Sequence, residues 1–429
     1  MAHKCIVAKV SEVVAIPGAD RIHVAKVLGE DCIVSKEVGV GFEGLLFPAD
    51  LQLSEDFCHE NNLNRSSELN KDKEKKGFFE KSRRVRVQPF LKVKSTAFFC
   101  GKESVAFTGV NIDELKLGVQ FDELNGKKIC QKYVSEETKV AKGNKQTQQA
   151  KKNYAPLFEK HVDSEQFKHY AHTIPKGALL SFHSKKHGTS FRVAHTKVGV
   201  ELPKWKQLVN KVVDVFPSEK WDYVVGTRNV ILKPQDSSKE GFHGSEAFRF
   251  EVMEQLKSYL EKGISIYGEI VGFVNDKPIM PRHSTDALKD KKFSNKYGKE
   301  ITYTYGCKEH EYKFHVYRIT YLNHNNENVD FSQKQLEKWC QERNIPYTLE
   351  VYPQMVYDGN VSDLCNLVEQ LTERPDVLTE DYTDPSHISE GIILRIDDGG
   401  LTPKFMKSKS YAFRVAEGIC KEVDTEDAS

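Results

Sequence analysis

Lys185-Lys186-His187-Gly188-Thr189-Ser190-Phe191-Arg192 is the stretch on which the reading of this chain turns. A lysine, two spacer residues, a glycine and a hydroxyl-rich turn suit a nucleophilic amine beside a bound nucleotide. The glycine lets backbone approach a phosphate closely, and a free amine can attack phosphorus. An unperturbed lysine titrates near ~10.4, so a neutral amine at neutral pH costs about 4 kcal/mol, which burial or neighbouring cations must supply. Taken alone, the pattern K-x-x-G recurs by chance and equally describes an exposed basic turn. Its weight comes from the segments that follow it.

Gly226-Thr227-Arg228-Asn229 interrupts the apolar run WDYVVGTRNVIL, and an arginine on such a turn can aim its fork at a phosphate or ribose. A plain surface turn is the alternative. Glu269 stands in the apolar strand pattern Ser265–Ile270, where a carboxylate needs a partner: a ribose hydroxyl, a metal-bound water or an internal arginine. In YKFHVYRI, Phe314 and Val316 share a face; the aromatic ring either stacks on a base or fills a core. Glu390 opens the apolar run EGIILRI beside Gly391, and a hard oxygen ligand there suits magnesium completed by substrate phosphates. Lys404, Lys407 and Lys409 follow a Gly-Gly turn; they could clamp a phosphate and neutralise a pyrophosphate leaving group, or form a solvated basic strand end.

Bulk properties set the frame. The 429 residues carry a net charge of +1, so no global field marks a nucleic-acid partner, although a basic stripe on one face stays open. Nine scattered cysteines with no C-x-x-C pair argue against zinc ribbons and redox dithiols and fit a reducing compartment. The N-terminus is too short and charged for a signal peptide, and no apolar run approaches a membrane span. The expectation is a soluble intracellular protein, cytoplasmic or nuclear.

The pattern predicts an α+β chain. Residues 1–131 read as short β-branched strands cut by Gly, Pro and Asp turns, as in an OB-like β-barrel. Within them Glu55 to Lys81 is highly charged and reads as a solvated loop. Residues 132–153 are lysine-rich with almost no apolar content, a linker composition. Residues 154–420 alternate helical and strand periodicities, a mixed α/β domain of about 270 residues that can enclose a nucleotide. Helices are expected over 164–172, 204–216, 244–262 and 361–374. Another opens at the Ser332–Gln335 capping box and runs through Arg343. Residues 421–429 form an acidic tail.

The order lysine turn, arginine turn, glutamate strand, aromatic strand, glutamate strand, lysine strand resembles the covalent nucleotidyltransferase superfamily of DNA ligases, RNA ligases and mRNA capping enzymes. The matching segments are Lys185–Gly188, Gly226–Asn229, Tyr267–Glu269, Phe314–Ile319, Glu390–Arg395 and Lys404–Lys407, across roughly residues 155–420. K-x-H-G-T-[SN]-F is more similar to RNA ligases than to DNA ligases. The segment Leu157–Gln166 and the barrel-like N-terminal run resemble the nick-sealing group whose OB module precedes the catalytic domain (the RNA ligase 5 family).

The resemblance implies an ATP-dependent enzyme that joins 3′-OH and 5′-phosphate RNA ends, at nicks in duplexes, in RNA repair. Lys185 would become lysyl-AMP. His187, Gly188, Arg228, Glu269, Phe314, Lys404 and Lys407 would bind the nucleotide, with Phe314 on adenine. Glu390, with Glu269, would hold Mg2+ or Mn2+. Partners would be ATP and RNA, with no membrane, and the protein would be a monomer. Two departures stand out: Ser184 precedes the lysine where many relatives carry glutamate, and Lys404-x-x-Lys407 replaces the usual K-x-K. The alternatives are a GTP-dependent capping guanylyltransferase and a non-catalytic RNA-binding protein with a degenerate pocket.

Overall fold

The computed structural model describes residues 4–49, 51–90, 93–134, 154–200, 202–210, 215–233, 240–241, 244–286, 291–374 and 387–419. The chain divides into two compact units, Met1–Ser135 and Glu136–Ser429. Most of the expected linker (135–153) and the expected tail lie outside the described residues, while Lys132 ends the strand Cys130–Lys132.

In the N-terminal unit, the Cys5–Ala15 strand is central. It pairs antiparallel with Ile22–Val27 on one side and Glu43–Pro48 on the other; Glu30–Ser35 and Ala97–Gly101 extend the two flanks. A register shift between Val10 and Glu12 bends this strand. Asp31 and Thr96 then join the two ends of the sheet. The Thr96 N–H donates to the Asp31 carbonyl at 2.8 Å, and the Thr96 hydroxyl accepts from the Asp31 N–H at 2.8 Å. The result is a nearly closed, barrel-like sheet. The central strand is apolar on both faces because both are covered: Ala8 and Val10 pack with Val27, Cys32 and Phe99, while Cys5 and Val7 pack with Phe47, Leu53 and Phe57.

The Glu55–Lys81 stretch is folded, not a solvated loop. It opens with a helix, Glu55–Glu60, capped by Ser54, and sends Phe57, Cys58 and Phe79 into the core. Asn70, fully buried, accepts from the Asn64 N–H at 2.9 Å and donates to the carbonyls of Asn64 and Lys75. Apolar anchors at its two ends and side-chain amides that satisfy the backbone suffice, with the charges pointing outward.

The second unit is built on two sheets. One has the strand order Glu165–Gln166, Lys404–Lys409, Gly391–Asp397, Leu179–Ser184, Glu350–Val356. The other runs Ile231–Leu232, Glu219–Gly226, Thr189–Gly199, Ile264–Val274, Tyr312–Leu322, Asn328–Asp330. Helices Ala247–Leu256 and Gln333–Glu342 lay Phe248, Val252, Leu256, Leu336 and Cys340 on the second sheet. Helix Val361–Thr372 covers the first with Leu364, Val368 and Leu371. The capping box at Ser332 and Gln335 forms as expected. The helix expected over 164–172 is shorter, Phe167–Tyr170, because Glu165 and Gln166 are drawn into parallel pairing with Met406 and Lys407. Of that expected over 204–216, Lys204–Asn210 is helical.

Candidate active site

Lys185 to Gly188 is the passage from one sheet to the other. The strand Leu179–Ser184 belongs to the first sheet and Thr189–Gly199 to the second. The turn is therefore fixed at both ends, and its side chains project where the sheets meet. The Lys185 N–H donates to the Gly391 carbonyl at 2.9 Å. Gly188 lies so close to the next strand that a Cβ would overlap the Ile270 carbonyl and crowd Val271 and Glu269. Only glycine lets the turn lie this low.

The Lys185 ammonium meets Glu390 Oε1 at 2.7 Å, with the lysine side chain 23% exposed and the carboxylate 3%. Burial alone would lift the Glu390 carboxyl. The Lys185 charge, with that of Lys409, more than reverses this and holds it below the usual range. Glu390 reaches the turn because Gly391, at φ +135°, takes a backbone shape that side chains resist, and a Cβ there would strike the Ser408 carbonyl. Its second oxygen, Oε2, is buried without a hydrogen-bond partner, 3.8 Å from His187 Nδ1.

His187 is wedged edge-on between Tyr303 and Phe413 at 4.6 and 4.8 Å. Burial pushes its pKa down to about 3 despite the pull of Glu390, so it is a neutral imidazole at neutral pH. The His187 N–H donates to the Tyr305 hydroxyl at 2.7 Å, and the buried Lys186 lies 4.7 Å over the Tyr305 ring.

The lysine strand places its three lysines differently. Along Lys404–Lys409, Met406 and Ser408 are buried, and Met406 joins the core of the first sheet. Lys407 and Lys409 alternate with them on the opposite face. Burial, then the charges of Lys409, Lys185 and Arg228, bring the Lys407 pKa down to about 7. Lys409 pairs with Glu417 and lies 5.1 Å over Phe413. Lys404 stands apart: its side chain is 63% exposed and its ammonium is bound to Asp398 at 2.8 Å. The cation pair gathered near Lys185 thus has K-x-K spacing, Lys407 and Lys409.

On the second sheet, Ser190, Glu269 and His315 are successive cross-strand neighbours. The Ser190 hydroxyl lies 3.5 Å from Glu269 Oε2. Phe314 is on the other face, against Phe191 at 5.1 Å and over Gly268, whose Cβ would fall inside the Phe314 ring. It is 7% exposed and part of the core, so the structure does not bring it together with Glu269. On the Glu269 side this strand presents the ring of Tyr317. A bulge between Tyr267 and Gly268 accommodates it, its hydroxyl is 2.6 Å from His161 Nδ1, and burial and the Glu269 charge push its phenol up.

Arg228 pairs with Asp163 at 2.6 Å. Its turn is held by buried Arg192, which donates to the carbonyls of Thr227, Phe158 and Glu159 at 2.7, 3.2 and 2.5 Å. Behind the lysine turn, Arg249 pairs with Glu246 and donates to the Thr189 hydroxyl at 2.6 Å. Tyr305, Tyr317, Arg192 and Arg249 were not singled out by pattern, because they act through distant pairings. Lys409 was already the alternative to Lys407 as the second cation.

Among the described residues, no group of three or more His, Cys, Asp or Glu could hold a metal ion by itself. Glu390 Oε2, a buried and unsatisfied carboxylate oxygen, nevertheless fits a hard cation that takes one protein oxygen and completes its shell from water and phosphate. No helix among the described residues is long and apolar enough to cross a membrane.

No curated protein matches the chain. Solved structures do, at low identity. Naegleria gruberi RNA ligase with PPi superposes with a TM-score of 0.58 at 16% identity, covering 96% of this chain and 98% of that one. A glutamate-to-alanine variant of it with ATP and Mn gives the same TM-score, identity and coverage. A lysine-to-methionine variant with AMP and Mn gives 0.56 at 14%, covering 96% and 97%. At these identities the likeness is one of fold. The sequence pattern of the RNA ligase family matches residues 181–409. Because that match takes in more than half of the chain, from the strand before Lys185 to Lys409, the chain belongs to the RNA ligase family.

Proposed function

We propose that this protein is an ATP-dependent RNA ligase that seals 3′-OH/5′-phosphate nicks in duplex RNA, acting as a monomer in RNA repair. The observation that carries the reading is the meeting of Lys185 with Glu390 at 2.7 Å beside Lys407, whose pKa the charges of Lys409 and Lys185 help to lower. Three amines crowded around one buried carboxylate suit a triphosphate and favour loss of a proton from one of them.

In this reading the Lys185 amine attacks the α-phosphorus of ATP. A P–N bond forms, the α–β bridging P–O bond breaks, and pyrophosphate leaves with its charge met by Lys407 and Lys409. AMP then passes from nitrogen to the RNA 5′-phosphate, and the 3′-OH attacks that phosphate, releasing AMP. Arg228 and Glu269 order the ribose, and Gly188 lets the turn backbone approach the phosphate. Tyr317, not Phe314, offers a ring to the base. His187 stays neutral and donates or accepts a hydrogen bond near the phosphates. Mg2+ or Mn2+ held on Glu390 would neutralise phosphate charge. The N-terminal unit serves as an OB-like RNA-binding module.

The test is incubation with α-labelled ATP or GTP and a divalent cation, followed by sealing of nicked duplexes with RNA or DNA on each side of the break. A covalent adduct made from ATP and lost in Lys185→Ala, with sealing that requires RNA on the 3′-OH side, is the expected result. Preferential labelling by GTP would favour a capping transferase; RNA binding with no adduct would favour a non-catalytic binding protein.

A further inference from the structure

The folded Glu55–Lys81 stretch continues into a strongly basic segment. Between Arg65 and Arg86 there are nine basic residues and four acidic ones. A charge run of this kind is usually a solvated face, so composition alone decides nothing. Three structural observations separate this one from that default.

First, it is held in shape. Residues 63–65 pair with 77–79 through backbone hydrogen bonds from Gly77 to Asn64, from Phe79 to Leu63 and from Arg65 to Phe79, at 2.8–2.9 Å. The buried Asn64 and Asn70 amides tie the loop between them. Its charges therefore keep fixed positions. Second, it presents an aromatic ring to solvent. Phe79 turns inward at 8% exposure, whereas Phe78 is 57% exposed, propped at 4.7 Å by Phe79 and at 5.6 Å by Phe98. A phenylalanine braced from behind and open in front is a costly surface feature without a partner. Third, the neighbouring charge is not neutralised. Glu80 is shared between Arg65 and Arg86, at 3.2 and 3.5 Å, leaving one arginine charge in excess. Lys76 and Lys81, both exposed, flank Phe78 in sequence and make no ion pair among the described residues.

We propose that Phe78, with Lys76, Lys81, Arg65 and Arg86, forms an RNA-contact surface of the N-terminal unit. An unpaired or fraying base stacks on the Phe78 ring, and the cations grip the adjoining phosphates. An aromatic platform ringed by uncompensated cations matches nucleic acid, since every base offers a π-face and the phosphates supply the opposite charge. An apolar protein partner would not call for the cations. The proposal rests on the RNA ligase reading and assigns its substrate a contact on the N-terminal unit.

The experiment uses the full chain and a fluorescein-labelled nicked RNA duplex with 3′-OH and 5′-phosphate at the break, in Mg2+ without ATP. Binding is followed by anisotropy over a salt series. Phe78→Ala is expected to weaken binding roughly tenfold, with Phe78→Tyr restoring it. The double variant Lys76→Ser/Lys81→Ser, which touches no packing, is expected to lower the slope of log K against log salt by about 1.5. Lysyl-AMP formation from ATP alone, which involves no RNA, is measured on each chain. A dissociation constant within twofold of wild type together with an unchanged slope overturns the proposal while leaving the ligase reading intact. Failure of the wild-type chain itself to form lysyl-AMP overturns the ligase reading instead.

Discussion

Lys185 Nζ and Glu390 Oε1 lie 2.7 Å apart, joining the turn between the two sheets to the first residue before the Gly391–Asp397 strand. The pair turns the Lys185 nitrogen towards a carboxylate oxygen, not towards a phosphorus. Binding of ATP has to loosen it, and the carboxylate is then available to a cation. Glu390→Gln is expected to cut lysyl-AMP formation by on the order of 10²-fold or more. It should also destabilise the protein by about 1–3 kcal/mol, a value discounted because Lys185 is partly exposed. Labelled-adduct assays and urea denaturation check both.

The same pair gives acid sensitivity. The Glu390 carboxyl is held below its unfolded value. Its contribution to stability is therefore present above about pH 4.3 and lost as pH falls through the lower folded value. Lys185→Ala removes the main charge that opposes burial, so the Glu390 pKa rises. The stability gap between Lys185→Ala and wild type should be wide at pH 7 and narrow towards pH 4, measured by denaturant titration at both.

Lys407, at about 7, sets a pH dependence for nucleotide binding. Below that value it is already charged; above it, a phosphate must draw a proton onto the amine. Dissociation constants for ATP, measured calorimetrically, are expected to rise by up to about tenfold per pH unit above 7, since each unit is worth about 1.4 kcal/mol. Lys407→Met should bind more weakly and flatten the profile.

Position on the strand separates the lysines. Lys407→Ala and Lys409→Ala are each expected to lower adenylylation by about 10²–10³-fold. Lys404→Ala, which removes only an exposed pair with Asp398, should stay within about threefold, because such pairs contribute about 1 kcal/mol or less. A large loss in Lys404→Ala would return the phosphate grip to Lys404.

The two aromatics of the Tyr312–Leu322 strand should fail in different ways. Phe314→Ala opens a core cavity and is expected to cost about 3–5 kcal/mol of stability. Tyr317→Ala should leave the fold standing and raise the KM for ATP roughly tenfold. Melting curves and adenylylation kinetics on the two variants tell them apart.

Much of this was legible in the chain itself. Strand and helix periods and the capping box at Ser332 are local properties, enforced by neighbours a few residues away, so sequence alone determined them. It also determined that a lysine turn, two glutamate strands and a lysine strand occur in a set order. Which face each residue takes was decided elsewhere. Phe314 read as the ring for a base and Tyr317 did not; the bulge between Tyr267 and Gly268 and the missing Cβ at Gly268 put Phe314 in the core and Tyr317 beside Glu269. Lys404 fitted the pattern, yet strand alternation sets it on the face of Met406 and Ser408, opposite Lys407 and Lys409. The charged stretch after Glu55 looked like solvent until Phe57, Phe79 and Asn70 were seen to anchor it. In each case the deciding contact joins residues far apart in sequence. Such contacts exist only once the sheets have formed, so their outcome belongs to the tertiary structure.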